Sequence, residues 1–282
     1  MQKSQRAVLG IVIAAFALAA FTAGMVNWWS LKYGPEVPAD DRDHPAATPA
    51  IADAAHAHEG GHAALADVND PAQVLNLPAN EAPGVKVTML PAADGGWDMR
   101  LALSNFRFAP ANAGDQHIAG MGHAHLFVDG NYLEQVDAPQ HHLAALPVGV
   151  HEVTVGLNAL DHRAFASDRT LVAERIMVKS TSRRPATLPT EVKTIELRLA
   201  GNRLGTGSNT ERVKVGELVQ LRWKSDAASS LHLHGYDIEA DLSPASPVSM
   251  LFLADAAGRF PVEVHAAAGG AEQTVFYLEV YP

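Results

Sequence analysis

Met121-Gly122-His123-Ala124-His125-Leu126-Phe127-Val128-Asp129-Gly130-Asn131 is the stretch that decides the fold class. It reads as a short strand running into Asp129-Gly130-Asn131, a hairpin-type turn. Successive side chains of a strand point to opposite faces, so Met121, His123 and His125 share one face. The pattern repeats outward. Val85-Lys86-Val87-Thr88-Met89 and Trp97-Asp98-Met99-Arg100-Leu101-Ala102-Leu103 alternate upstream. His151-Glu152-Val153-Thr154-Val155 alternates downstream, and Leu171 to Val178 closes the set. Gly, Pro, Asn and Asp separate these runs and no long helical period appears, which predicts a β-sandwich over residues 84–180.

Ser180 to Pro189 has a linker composition, placing a connection at 181–190. A second β set follows. Ile195, Leu197 and Leu199 alternate with Glu196 and Arg198, and Val219, Leu221 and Trp223 share a face. Further runs at Leu231–Tyr236, Val248–Leu253, Arg259–His265 and Thr274–Val280 predict a second sandwich over 191–282.

The N-terminal side differs. Lys3 and Arg6 precede an uncharged run of small and apolar residues from Ala7 to Val26. About 20 such residues span a hydrocarbon core as a helix. Trp28, Trp29 and Tyr33 then stand where an interfacial aromatic belt would be, and Glu36, Asp40, Asp41 and Asp43 follow. Residues 1–34 are therefore expected to form a single transmembrane anchor, with the N-terminus cytoplasmic and the bulk periplasmic at a bacterial inner membrane. A cleaved signal peptide is the competing reading, with small residues at Thr22-Ala23-Gly24. Residues 35–83, rich in Ala, Pro, Asp and His, read as a linker. His44, His56, His58 and His62 within it suit weak capture of Cu(II), Ni(II) or Zn(II). The fold class expected is thus all-β: two β-sandwich domains after one N-terminal transmembrane helix.

Composition narrows the chemistry. Lys+Arg number 21 and Asp+Glu 31, a net charge of −10, which is not the footprint of a nucleic-acid binder. The 282 residues include no cysteine, excluding disulfides, zinc–thiolate sites, iron–sulfur clusters and thiolate-ligated copper. The 14 histidines exceed what packing needs. A His-x-His pair on a strand directs two imidazoles at one ion, and the Met121 thioether would add a soft ligand favouring Cu(I). His142 and His162 lie in later segments that could complete a shell of Met121, His123, His125, His142 and His162. The alternative reading gives these histidines turn-capping and hydrogen-bonding roles. In the second set, His232 and His234 share a face, and with His265 they form a second candidate metal site.

Two resemblances bear on these residues. His123-Ala124-His125-Leu126-Phe127-Val128-Asp129-Gly130, with His142 to His151 (containing Leu146-Pro147-Val148-Gly149-Val150-His151) and Leu157-Asn158-Ala159-Leu160-Asp161-His162, resembles a bacterial cell-envelope β-sandwich module over about residues 115–165. It implies a fold more firmly than a metal. Gly258-Arg259-Phe260-Pro261-Val262-Glu263-Val264-His265 resembles the penultimate strand of a cupredoxin, and that likeness spans about 190–282. Val264 takes the position of the copper-ligand cysteine, and Ala266 to Ala271 carries no His or Met. The resemblance therefore implies a cupredoxin-like fold without its electron-transfer copper site.

No Gly-x-Ser-x-Gly, P-loop or dinucleotide fingerprint is present, so catalytic turnover is not expected. The expected function is that of a membrane-anchored periplasmic copper-binding or copper-handling protein, with copper as cofactor and a copper-receiving protein as partner. The alternative is an accessory or scaffold subunit covering the periplasmic face of a respiratory or photosynthetic membrane complex.

Overall fold

The computed structural model describes residues 64–182, 187–205, 207–244, 246–266 and 272–282. The expected anchor at 1–34, the Ala7–Val26 run and the histidines at 44, 56, 58 and 62 lie outside the described residues. Among the described residues all regular structure is β, and no helix is long and apolar enough to cross a membrane.

The first half contains β1 (Val74–Leu77), β2 (Gly84–Pro91), β3 (Trp97–Ser104), β4 (Arg107–Phe108), β5 (Met121–Val128) and β6 (Asn131–Val136). It continues through β7 (Gln140–Leu143), β8 (Gly149–Ala159), β9 (Ala164–Ser167), β10 (Thr170–Leu171) and β11 (Ala173–Ser180). The second half contains β12 (Val192–Ala200), β13 (Arg203–Leu204), β14 (Thr210–Lys214), β15 (Leu218–Ser225) and β16 (Ser229–Leu233). It ends with β17 (Ile238–Leu242), β18 (Val248–Leu253), β19 (Gly258–Ala266) and β20 (Gln273–Tyr281). Val74–Leu77 falls inside the stretch that composition alone reads as a linker. Its four residues pair in parallel with β9, from Val74↔Ala164 to Leu77↔Ser167.

Three sheets result. A central 12-stranded sheet runs along the path β1-β9-β8-β11-β18-β15-β12-β13, with β5 joined to β8. It crosses from one half of the chain to the other at a parallel contact, where Ile176, Met177 and Val178 meet Ser249, Met250 and Leu251. The second sheet is β14-β20-β19-β16-β17 and the third is β2-β3-β7.

Alternation along the central sheet separates two cores on opposite faces. Leu221, Trp223, Met250 and Phe252 pack against Leu231, Val262, Phe276 and Leu278 of the five-stranded sheet. On the other face, Leu126, Val155, Ile176, Val178, Leu218 and Leu251 pack against Val87, Met89, Trp97 and Met99 of the three-stranded sheet. Met250 and Leu251 are neighbours in one strand and serve different cores, as a period of two requires. This is a sandwich arrangement in which both outer sheets use one shared middle layer. At roughly 25 cal/mol per Å² of apolar surface removed from water, these two cores are the main source of stability.

Candidate metal centre

The His-x-His pair sits mid-strand in β5, whose two neighbours are β6 and β8. Ala124 and Leu126 point into the core and are fully buried. His123 and His125 therefore point to the opposite face, away from the three-stranded sheet. Both are nonetheless buried, at 5% and 2% exposure. A buried imidazole needs a polar partner, and these two face each other. Their Nε2 atoms stand 3.0 Å apart. Metal–imidazole bonds of about 2.0–2.1 Å place two ligand nitrogens about 2.9 Å apart at a right angle and about 3.3 Å at the tetrahedral angle. The observed separation suits either one hydrogen bond between opposite tautomers or two nitrogens on one ion.

The third imidazole arrives from the end of β8. His123 lies opposite Asn158 and His125 opposite Gly156 in the β5–β8 register. Beyond Asn158 the chain reverses in a turn closed by His162 N–H to the Ala159 carbonyl at 3.0 Å and Ala159 N–H to the Arg163 carbonyl at 2.8 Å. His162 has φ 64°, the left-handed region that side chains with a Cβ rarely occupy. The Asn158 side-chain amide donates to the His162 carbonyl at 3.0 Å and holds that conformation. The turn thus spends backbone strain to bring one imidazole back over the strand, the pattern expected where a site rather than packing sets the geometry. The His162 ring centroid lies 4.7 Å from that of His123 and 6.0 Å from that of His125. One ligand nitrogen from each of His123, His125 and His162 falls within 4.8 Å of the other two. Among the described residues this is the group of three or more histidines, aspartates or glutamates that converges so closely.

The surroundings restrain the rings. Tyr132 stands edge-on to His125, with ring centroids 5.2 Å apart. Asp161 lies in the same cavity wall as His125 and His162 and is paired with Arg163, which donates to it from Nη2 at 2.7 Å and from Nε at 3.0 Å. Burial would raise the Asp161 carboxyl, but these bonds prevail and hold it below its ordinary value. A cavity of about 250 Å³ opens beside the imidazoles, with His125 and His162 in its wall. Three neutral imidazoles without thiolate are a donor set that suits copper, nickel or zinc, and copper leads that series in intrinsic affinity.

The other expected ligands are placed as follows. Met121 opens β5, partly exposed and on the same parity as His123 and His125. His142 belongs to the three-stranded sheet, opposite Asp98, and is not part of the convergent group. Its Nδ1 contacts Asp98 at 3.0 Å and its Nε2 contacts Asp94 at 2.9 Å. A carboxylate on each nitrogen favours the protonated ring: Asp98, then Asp94, raise the His142 pKa, and Asp94 is lowered chiefly by the Gly96 N–H. A raised histidine pKa contributes stability below the unfolded value that is lost as pH rises through the folded one. By NMR, His142 should titrate above an ordinary histidine, and Asp98→Asn should bring it down.

His232, His234 and His265 lie on or beside the outer face of the five-stranded sheet. Each meets a different carboxylate: His232 Nε2 is 3.5 Å from Asp237, His234 Nε2 is 2.8 Å from Glu263, and His265 Nδ1 is 3.6 Å from Glu272. The hydrogen bond from His234 lowers the Glu263 pKa. Val264, at the expected cysteine position, is 2% exposed and sits in the core. Adding Cu(II) to the protein should therefore give only weak visible absorption, because an intense blue band needs a thiolate. A strong band near 600 nm, the region of thiolate-to-copper absorption, would contradict this.

What sequence reasoning missed is the supporting shell. Asn158 was visible only as part of a motif, and its hold on a left-handed turn has no signature of its own. Tyr132 and the Asp161–Arg163 pair carry no signal before the register is known.

No family model and no curated protein matches the chain. Among solved structures it is similar to a heme-copper terminal oxidase determined as a dimer, at 19% identity and TM-score 0.27, covering 32% of this chain and 65% of that one. It is similar also to a blue copper oxidase from Nitrosomonas europaea, at 12% identity and TM-score 0.25, covering 70% and 84%. A laccase-like multicopper oxidase from an Ochrobactrum species gives 12% identity and TM-score 0.27, covering 75% and 62%. Superpositions this loose assign neither a family nor an activity to the chain.

Proposed function

We propose that this chain is a membrane-anchored periplasmic copper-binding protein that holds copper at His123, His125 and His162 without catalytic turnover. The observation that carries the reading is the approach of these three imidazoles, two of them buried, to within 4.8 Å of one another. Neutral imidazole is the ligand form, so copper should be released as the medium is acidified. The anchor and compartment follow from the Ala7–Val26 run and its flanking charges. A cupredoxin-like second half with a valine for the cysteine would serve as scaffold, and a copper-receiving protein is the natural partner.

The second reading is an accessory subunit of a membrane complex, favoured by the long mixed central sheet and the absence of a thiolate site. One experiment separates them: elemental analysis of the protein extracted from its native membrane, with co-purifying subunits identified. Stoichiometric copper supports the first reading. No metal together with fixed subunits supports the second.

A further inference from the structure

Three imidazoles leave a bound ion with at least one open position, as in metal sites that keep a place for an exogenous ligand. The structure shows what lies beside that position. His125 and His162 form part of the wall of the cavity of about 250 Å³, with Asn158, Arg163, Gln73 and Gly156 among the other lining residues. One water occupies about 30 Å³ of liquid, so the space admits a ligand of several heavy atoms.

Small residues make this space. His125, Gly156 and Ala173 lie side by side across β5, β8 and β11 and point to the same face. Gly156 has no need of a glycine backbone: a Cβ built there meets only the Ala173 Cβ, at 4.0 Å. Any larger side chain at 156 would enter the cavity beside His125. The absence of side chain there is therefore what keeps the cavity open.

Charge indicates the occupant. Neutral imidazoles cancel none of the charge of a cupric ion, and the carboxylate in the same cavity wall, Asp161, already has its charge matched by Arg163, another wall residue. A buried cation without a compensating anion is strongly disfavoured in a medium of low dielectric. We propose that the cavity beside His125 and His162 is a binding site for a small anion, which takes the open coordination position of the metal. This rests on the copper reading above, and adds to it a second ligand site with its own selectivity.

The test uses the full chain loaded with one equivalent of Cu(II) and titrated with sodium azide, following the ligand-to-copper charge-transfer band and the copper electron paramagnetic resonance spectrum. Bound copper is counted first in every sample. A saturable new band and altered hyperfine coupling are expected in the wild type, and both should differ in His162→Ala, where the copper has lost one imidazole. Gly156→Leu should weaken azide binding, per copper bound, by at least about tenfold, or about 1.4 kcal/mol. Ala173→Leu, filling the same space from the neighbouring strand, provides the same check if Gly156→Leu does not fold. Copper bound at the three histidines with a spectrum indifferent to azide would overturn the anion site and leave the copper reading intact. Azide binding equally tight in the cavity-filling variants would also overturn it, because the anion would then sit elsewhere. Copper binding unaffected by His162→Ala would instead remove the copper reading, and the anion site with it.

Discussion

His162→Ala is expected to lower the protein's tightest copper affinity by more than about 100-fold, since even outer-shell changes at metal sites cost about 10–100-fold. His123→Ala with His125→Ala should abolish that tight binding. The reason is geometric. His123 and His125 alone stand 3.0 Å apart on one strand and offer two ligands on one side. The imidazole from the β8–β9 turn supplies the third direction. The full chain carries 14 histidines, so weak copper binding should persist in every variant. The measurement is therefore a competition titration against a chelator, which reads the tight site alone. Asn158→Ala should give a smaller loss of about 10-fold, because it releases the left-handed turn without removing a ligand. Unchanged tight binding in the double variant would show that the β5 histidines only pair with each other.

Arg222→Met is expected to destabilise the fold by about 3–5 kcal/mol, the usual cost of leaving a buried charge without its partner. Arg222 on β15 and Glu174 on β11 flank β18 on the central sheet, and their side chains are 13% and 12% exposed. The guanidinium Nη2 donates to Glu174, and the Ser249 hydroxyl adds a bond at 3.5 Å. Burial nevertheless raises the Glu174 pKa, with Arg222 opposing the shift. A carboxyl whose folded pKa is raised contributes stability below the unfolded value that is lost as pH rises through the folded one. Removing Arg222 raises that pKa further. The deficit of Arg222→Met should then be largest at neutral pH and shrink as acid protonates Glu174. Pairing it with Glu174→Leu should recover most of the loss, because apolar replacement of a buried pair is often neutral. Denaturant unfolding at several pH values checks all three statements. A single variant with wild-type stability at neutral pH would mean that water reaches the pair.

Period-two alternation made much of this architecture legible. It identified β2, β3, β5 and β8 from their own residues, and it put His123 and His125 on one face before any register was known. Contacts between distant segments were not legible. The parallel join of Ile176–Val178 to Ser249–Leu251 ties together runs about 70 residues apart, and nothing local marks it. β1 has four residues, too few for periodicity to stand out from an Ala- and Pro-rich surround. The same limit applied at the site. His162 was recognisable by type, but its reach depends on the turn that Asn158 holds. His142 looked equivalent in sequence, yet the Asp98↔His142 register delivers it to two carboxylates instead. Alternation put His232 and His234 on one face, and their ring centroids lie 4.1 Å apart, while register gives each of His232, His234 and His265 its own acidic neighbour.

His123, His125 and His162 are expected to act as one metal centre. X-ray absorption at the copper edge, on the full chain loaded with a single equivalent, addresses this most directly. Imidazole rings give a characteristic multiple-scattering pattern whose amplitude counts them. Three imidazoles are expected in the wild type and two in His162→Ala, with no thiolate scattering in either. An imidazole count unchanged in His162→Ala, falling only when the histidines at 44, 56, 58 and 62 are replaced, would contradict it.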